Sequence, residues 1–90
     1  MKSITLMIIK LLKFMKIDNL KLIEVIQKIF KTKKIKKIDH LKLGSLKKWD
    51  SLGNFNFLLE IEKEFNIKLS NEDFTNINSI KELKKALKKY

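Results

Sequence analysis

The chain contains no proline and only two glycines, Gly44 and Gly53, in ninety residues. These two residue types punctuate tight turns and hairpins, so a many-stranded β fold lacks its turn signals and no segment reads as a flexible linker. An all-α fold follows: a small bundle of three main helices plus one short helix, with a long loop between the first and second core helices. Ninety residues suffice for one modest core and not for two. No apolar pattern returns at a longer fixed period, which excludes a repeat array.

Periodicity places the elements. Asp18 to Phe30 carries Leu22, Ile23, Ile26, Ile29 and Phe30 at helical spacing, with Asp18 suited to cap the first turn. Residues 31–37 are mostly lysine, and Ile38 to Trp49 fits neither the helical nor the strand period, so this stretch is expected to be a loop whose Leu41, Leu43 and Leu46 tuck onto the core. Asp50 to Phe65 has the clearest helical signal, and its apolar residues separate into two stripes. Phe57, Leu58, Ile61 and Phe65 read as core; Leu52, Phe55 and Leu59 read either as a second buried stripe or as an exposed one in need of a partner. A short helix near Asn71 to Thr75 follows the box-like Ser70-x-x-Asp73. Ser79-Ile-Lys-Glu82 is a capping box that opens the last helix, with Ile80, Leu83 and Leu87 as its apolar stripe.

Charge is distributed unevenly. From Met1 to Lys48 there are 14 lysines against three acids, whereas Trp49 to Asn78 has two lysines against six acids. All 21 basic residues are lysine; the absence of arginine, whose planar fork suits phosphates and base edges, weakens a nucleic-acid reading. Without cysteine there is no disulfide, no thiolate metal site and no cysteine nucleophile, so any thiol chemistry needs an imported thiol. The only histidine, His40, has no ligand cluster at metal spacing and reads as a loop residue; no metal site and no catalytic residue is expected. Trp49 reads as the anchor of the long loop on the core, and as an aromatic beside lysines it is also the best single point for a stacked base.

The segment Trp49-Asp50-Ser51-Leu52-Gly53, followed at once by the long amphipathic helix ending Glu62-Lys63-Glu64-Phe65-Asn66-Ile67, resembles an acyl carrier protein. Order and spacing add to the motif: a helix upstream, a leucine-bearing loop, the motif opening the longest helix, then a short helix and a capped last one. The likeness covers Asp18 to about Lys88, and the Trp-Asp-Ser-Leu-Gly form resembles stand-alone and D-alanyl or peptidyl carriers most. It implies a carrier that is not an enzyme, with a 4′-phosphopantetheine arm from coenzyme A attached at Ser51, holding an acyl or aminoacyl group as a thioester. It also implies Asp50 as the acid read by a phosphopantetheinyl transferase and Leu52 as the first partner-contacting side chain. Phe55, Asn56, Leu59 and Glu62 are expected to belong to the surface that docks the transferase and the acyl-loading and acyl-transferring enzymes. The family setting implies a monomer in a bacterial cytoplasm, in a specialised biosynthetic pathway.

The site has physical sense of its own. A phosphodiester on Ser51 would sit at a helix start, where unpaired N–H groups and the dipole favour an anion. The ordinary alternative for Ser51 is a plain helix N-cap. Ser45, in Leu43-Gly44-Ser45-Leu46, resembles the motif without its aspartate and is the rival serine. The chain departs from the family pattern at Gly53 and Asn56, where many carriers have an acid, although Glu60, Glu62, Glu64, Glu72 and Asp73 keep the region negative.

Residues 1–16 form an extension to the carrier domain at 17–90. Lys2, Lys10, Lys13 and Lys16 share one side of a helical wheel opposite a broad apolar side. This reads either as a basic amphipathic helix making a weak contact with an anionic membrane surface, or as an over-long start, with Met15 the natural beginning. The competing function for the whole chain is a lysine-rich helical module that binds nucleic acid or an anionic membrane surface through its first half.

Overall fold

The structure, a computed structural model, describes residues 18–90; the expected extension at 1–16 lies outside the described residues. Four helices follow in order: α1 (Asp18–Phe30), α2 (Ser51–Phe65), α3 (Asn71–Asn76) and α4 (Ile80–Leu87). The chain is an all-α bundle; among the described residues there is no strand, only one isolated antiparallel bridge between Lys42 and Ser79. None of the described helices is long and apolar enough to cross a membrane.

Helix α1 buries Leu22, Val25, Ile26 and Phe30, a stripe at helical spacing, and lays it against α2. Ile23 and Ile29, expected in that stripe, sit half-buried at its edges, and Val25 takes the central place. Helix α2 answers with Phe57, Leu58 and Ile61, all at most 1% exposed, while Phe65 stays at the rim. The helix ends at Asn66, whose left-handed backbone (φ 53°, ψ 50°) lets its N–H and that of Ile67 close on the Glu62 carbonyl. Asparagine tolerates that conformation better than most side chains.

The last helix is set by Ser79, whose hydroxyl accepts from Glu82 N–H at 3.1 Å. The reciprocal arm of the box lands one residue earlier than the motif implies: Glu82 accepts from Asn78 N–H and from the Ser79 hydroxyl. Ile80, Leu83 and Ala86 form its buried stripe, with Leu87 half-buried.

Residues 31–50 contain no helix, and they are fixed in two places. Leu43 N–H donates to the Asn78 carbonyl at 2.8 Å and Ile80 N–H to the Leu41 carbonyl at 3.0 Å, which ties the middle of the segment to the junction of α3 and α4. Ile38, Leu41 and Trp49 are then drawn into the core, Leu46 is half-buried, and Leu43 is exposed, contrary to the expectation that all three leucines tuck in. The exception follows from the turn that starts at the bridge: Ser45 N–H closes on the Lys42 carbonyl at 2.8 Å, so Leu43 stands at the outer corner of a turn and does not continue the stretch that buries Leu41.

Ser70 caps α3, accepting from Asp73 N–H at 3.1 Å. The Asp73 carboxylate turns to the far end of the chain instead, taking the Tyr90 hydroxyl at 2.6 Å and the Lys89 ammonium at 3.2 Å. These two donors, the hydroxyl foremost, hold the Asp73 carboxyl below the ordinary aspartate range. A carboxyl lowered by folding contributes stability that is fully present above its unfolded value, about 3.9, and is lost as pH falls through the folded value. We therefore expect Asp73→Asn to melt at a lower temperature than the parent at pH 6 by circular dichroism. The gap should shrink as the pH falls below about 4; a gap that is constant with pH would remove the pairing as its cause.

Candidate functional site

The start of α2 separates two jobs between adjacent residues. Asp50 has extended backbone (φ −98°, ψ −168°) and is the N-cap: its Oδ1 accepts from Gly53 N–H at 2.8 Å, and its carbonyl accepts from Asn54 N–H at 2.8 Å. Ser51 is therefore not the cap, and the plain N-cap alternative is overturned. It is the first helical residue, exposed, and its hydroxyl makes no hydrogen bond to another described residue. Its own N–H and that of Leu52 lie in the first turn, where the helix offers no acceptor.

The rival serine is placed differently. Ser45 Oγ accepts from Lys42 N–H at 3.0 Å while Ser45 N–H donates to the Lys42 carbonyl at 2.8 Å, so this hydroxyl closes a turn. Further turns follow directly, with Gly44 N–H on the Trp49 carbonyl and Trp49 N–H on the Leu46 carbonyl. Gly44 itself has φ +93°, a region that side chains disfavour.

The segment of turns presses on the helix at Gly53. A Cβ built there would lie 2.1 Å from the Lys48 carbonyl oxygen, so the backbone of the loop occupies the space of a side chain. This is the physical reason that no acid stands at this position: the first turn of α2 is held against the loop through a glycine.

Trp49, next to the motif, is 1% exposed. Its ring stacks on Phe30 at 4.8 Å and meets Phe57 edge-on at 5.4 Å. Its Nε1–H donates to Asn54 Oδ1 at 2.9 Å, and Asn54 Nδ2 donates in turn to the Ile77 carbonyl at 2.9 Å. Asn54 thus joins the loop, α2 and the α3–α4 junction beneath Ser51. The sequence marks it only weakly, because an asparagine inside an amphipathic helix looks like a polar surface residue; its one signal is that it falls on the apolar side of the wheel. Trp49, the aromatic that the sequence offers first for base stacking, is thus enclosed in the core.

The second stripe of α2 faces outward. Leu52, Phe55 and Leu59 are 69%, 52% and 43% exposed, so the alternative in which both stripes are buried does not hold. The Phe55 ring leans on Phe74 of α3 at 5.4 Å, which extends the apolar surface onto the short helix. Asn56 is exposed beside it.

Glu62 flanks that stripe on the wheel, next to Phe55. It is half-buried and its carboxylate accepts from Leu69 N–H at 2.7 Å, closing the α2–α3 turn. Other acids of this segment are similarly engaged: Glu60 and Glu64 lie 2.9 and 4.0 Å from Lys28 on α1, and Asp73 is held by Tyr90 and Lys89. The Lys28 ammonium pulls the Glu60 carboxyl below its ordinary range. Lys28 and Lys89 thus offset Glu60, Glu64 and Asp73, while Asp50, Glu62 and Glu72 have no cationic partner among the described residues.

Among the described residues no group of three or more histidine, cysteine or acidic side chains is arranged to hold a metal ion, and His40 is exposed on the loop. Chemically, the site offers an exposed hydroxyl at the positive end of a helix, on a turn fixed from below, with an apolar ridge running away from it. No model of a known protein family, no curated protein and no solved structure matches this chain.

Proposed function

We propose that this chain is an acyl carrier protein that bears a 4′-phosphopantetheine arm on Ser51 and presents an acyl or aminoacyl group to partner enzymes. The observation that carries the reading is the division of labour at the start of α2: Asp50 performs the cap, leaving the Ser51 hydroxyl exposed and uncommitted on the first helical turn. A phosphodiester there would meet the unpaired first-turn N–H groups and the positive end of α2, and Lys47 and Lys48 are exposed on the turn before it. The residues present therefore fit the group.

Bound at Ser51, the arm would supply the thiol that a chain without cysteine lacks, as the point of thioester attachment. The protein's own part is to position and to be recognised. Asp50 fixes the turn that displays the hydroxyl, Trp49 and Asn54 hold that turn on the core, and Leu52, Phe55 and Leu59 offer the apolar contact for a transferase and for loading enzymes. The chain supplies no catalytic group in this scheme.

Intact mass tests it. After incubation with coenzyme A, magnesium and a broad-specificity phosphopantetheinyl transferase, the chain should gain one phosphopantetheine. Ser51→Ala should abolish the gain while Ser45→Ala keeps it. No gain under conditions that fully modify a control carrier would reject the function.

A further inference from the structure

We infer that this chain binds an anionic lipid surface through the lysine strip of residues 31–37, a surface separate from the apolar ridge of α2. The described residues are polarised in charge: residues 18–48 hold ten lysines against three acids, whereas residues 49–90 hold seven of each. Lys31, Lys33, Lys34, Lys36 and Lys37 are all exposed, with Thr32 and Ile35 half-buried between them. Among the described residues none of the five stands in an ion pair. Of the three acids in this half, Asp18 opens α1, Glu24 is exposed on α1, and Asp39 is paired with Lys84 of α4.

The fold draws these charges out into a row. The Lys84 ammonium donates both to Asn19, at the start of α1, and to Asp39, so residues 31–39 lead from the end of α1 back to its beginning. Asn19 and Phe30 are about 16 Å apart along the helix, at about 1.5 Å per residue. A row of that length offers its charges together to a flat anionic surface, where each lysine adds to the attraction without needing a fixed partner. Nucleic acid is the poorer match. The chain has no arginine, and Phe30 and Trp49, the aromatics that bound the segment, are both buried, so it offers neither bidentate phosphate contacts nor base stacking there. In sequence, residues 1–16, which precede α1, add four lysines, no acid and a majority of apolar residues, a composition that suits a lipid surface better than a phosphate backbone.

Co-sedimentation of the full chain with vesicles tests this. At low salt, vesicles of mixed phosphatidylglycerol and phosphatidylcholine should bind it at least about tenfold tighter than vesicles of phosphatidylcholine alone. The advantage should fade near 1 M salt, where screening acts within about 3 Å. Lys33→Gln with Lys34→Gln and Lys36→Gln should weaken binding to the anionic vesicles by about a hundredfold. The same number of changes at exposed lysines elsewhere, Lys63→Gln with Lys68→Gln and Lys88→Gln, should cost far less. Circular dichroism checks that both triple variants keep the helical fold. Equal binding to the two kinds of vesicle, equal losses from the two triple variants, or retention on an oligonucleotide at a salt concentration that releases the anionic vesicles overturns the proposal. Ser51→Ala should bind the vesicles like the parent, so the vesicle result and the intact-mass result for the carrier function stand or fall separately.

Discussion

Gly53→Ala is expected to lower stability by about 3 kcal/mol or more, the opposite of what the same change does in an ordinary helix. Alanine is the better helix former by about 0.5–1 kcal/mol, so helix propensity alone predicts a gain. Here the new Cβ would stand 2.1 Å from the Lys48 carbonyl oxygen and must retreat by about 1 Å to reach a distance that real Cβ atoms make. Neither side yields easily. Lys48 precedes the buried Trp49, and Gly53 is held by Asp50. The loop would have to lift off the helix start, so the phosphopantetheine transfer rate should fall as well. A urea midpoint equal to or above the parent's would show that the loop is free to move.

The second large effect lies one residue before the motif. Trp49→Ala should cost about 3–5 kcal/mol, the range for deleting a buried aromatic, because the ring stacks between Phe30 and Phe57. That is a large share of the roughly 5–15 kcal/mol typical of a domain. Trp49→Phe keeps an aromatic surface and loses the indole N–H; Asn54→Ala loses the acceptor and strands both Trp49 Nε1–H and the Ile77 carbonyl. Each of these should cost about 1–3 kcal/mol. Combining Trp49→Phe with Asn54→Ala should cost less than the sum, since both break one network. Denaturant titrations of the four proteins measure the cycle. Additive losses would mean that the indole–amide bond carries no energy of its own.

The helices were legible because their signals are local. Ser70 and Ser79 cap α3 and α4, and the wheel of α2 separated its two stripes correctly. Periodicity could not say which stripe would find cover, because that depends on how many neighbouring elements the chain can bring to bear, and the buried face of α2 is met by α1 and the loop. The burial of Ile38 and Leu41 against the exposure of Leu43 was likewise hidden, since it follows from hydrogen bonds between segments more than thirty residues apart. At the site, Ser51, Asp50 and Leu52 were marked by the motif, and the ambiguity between cap and free hydroxyl was resolved only by the backbone of Asp50. Asn54, marked only by its place on the apolar side of the wheel, and the internal engagement of Glu60 and Glu62 were hard to read for one shared reason. A polar residue in sequence shows its charge and hydrogen-bonding capacity but not whether the fold has already used them.

The pair of backbone bonds that joins residues 41–43 to 78–80 has a consequence for how the chain can change in length over evolution. It divides the connection between α1 and α2 into two unlike halves. Residues 31–37 hang between the end of α1 and an anchored point with every lysine exposed, so added residues there lengthen a closed loop, whose entropy rises only slowly with size. Residues 42–50 are spanned by bonds from turn to turn and end against Gly53, so a single inserted residue would break the register that carries Ser51 to its position. Descendants of this sequence can vary in length before the bridge and are held to one spacing after it.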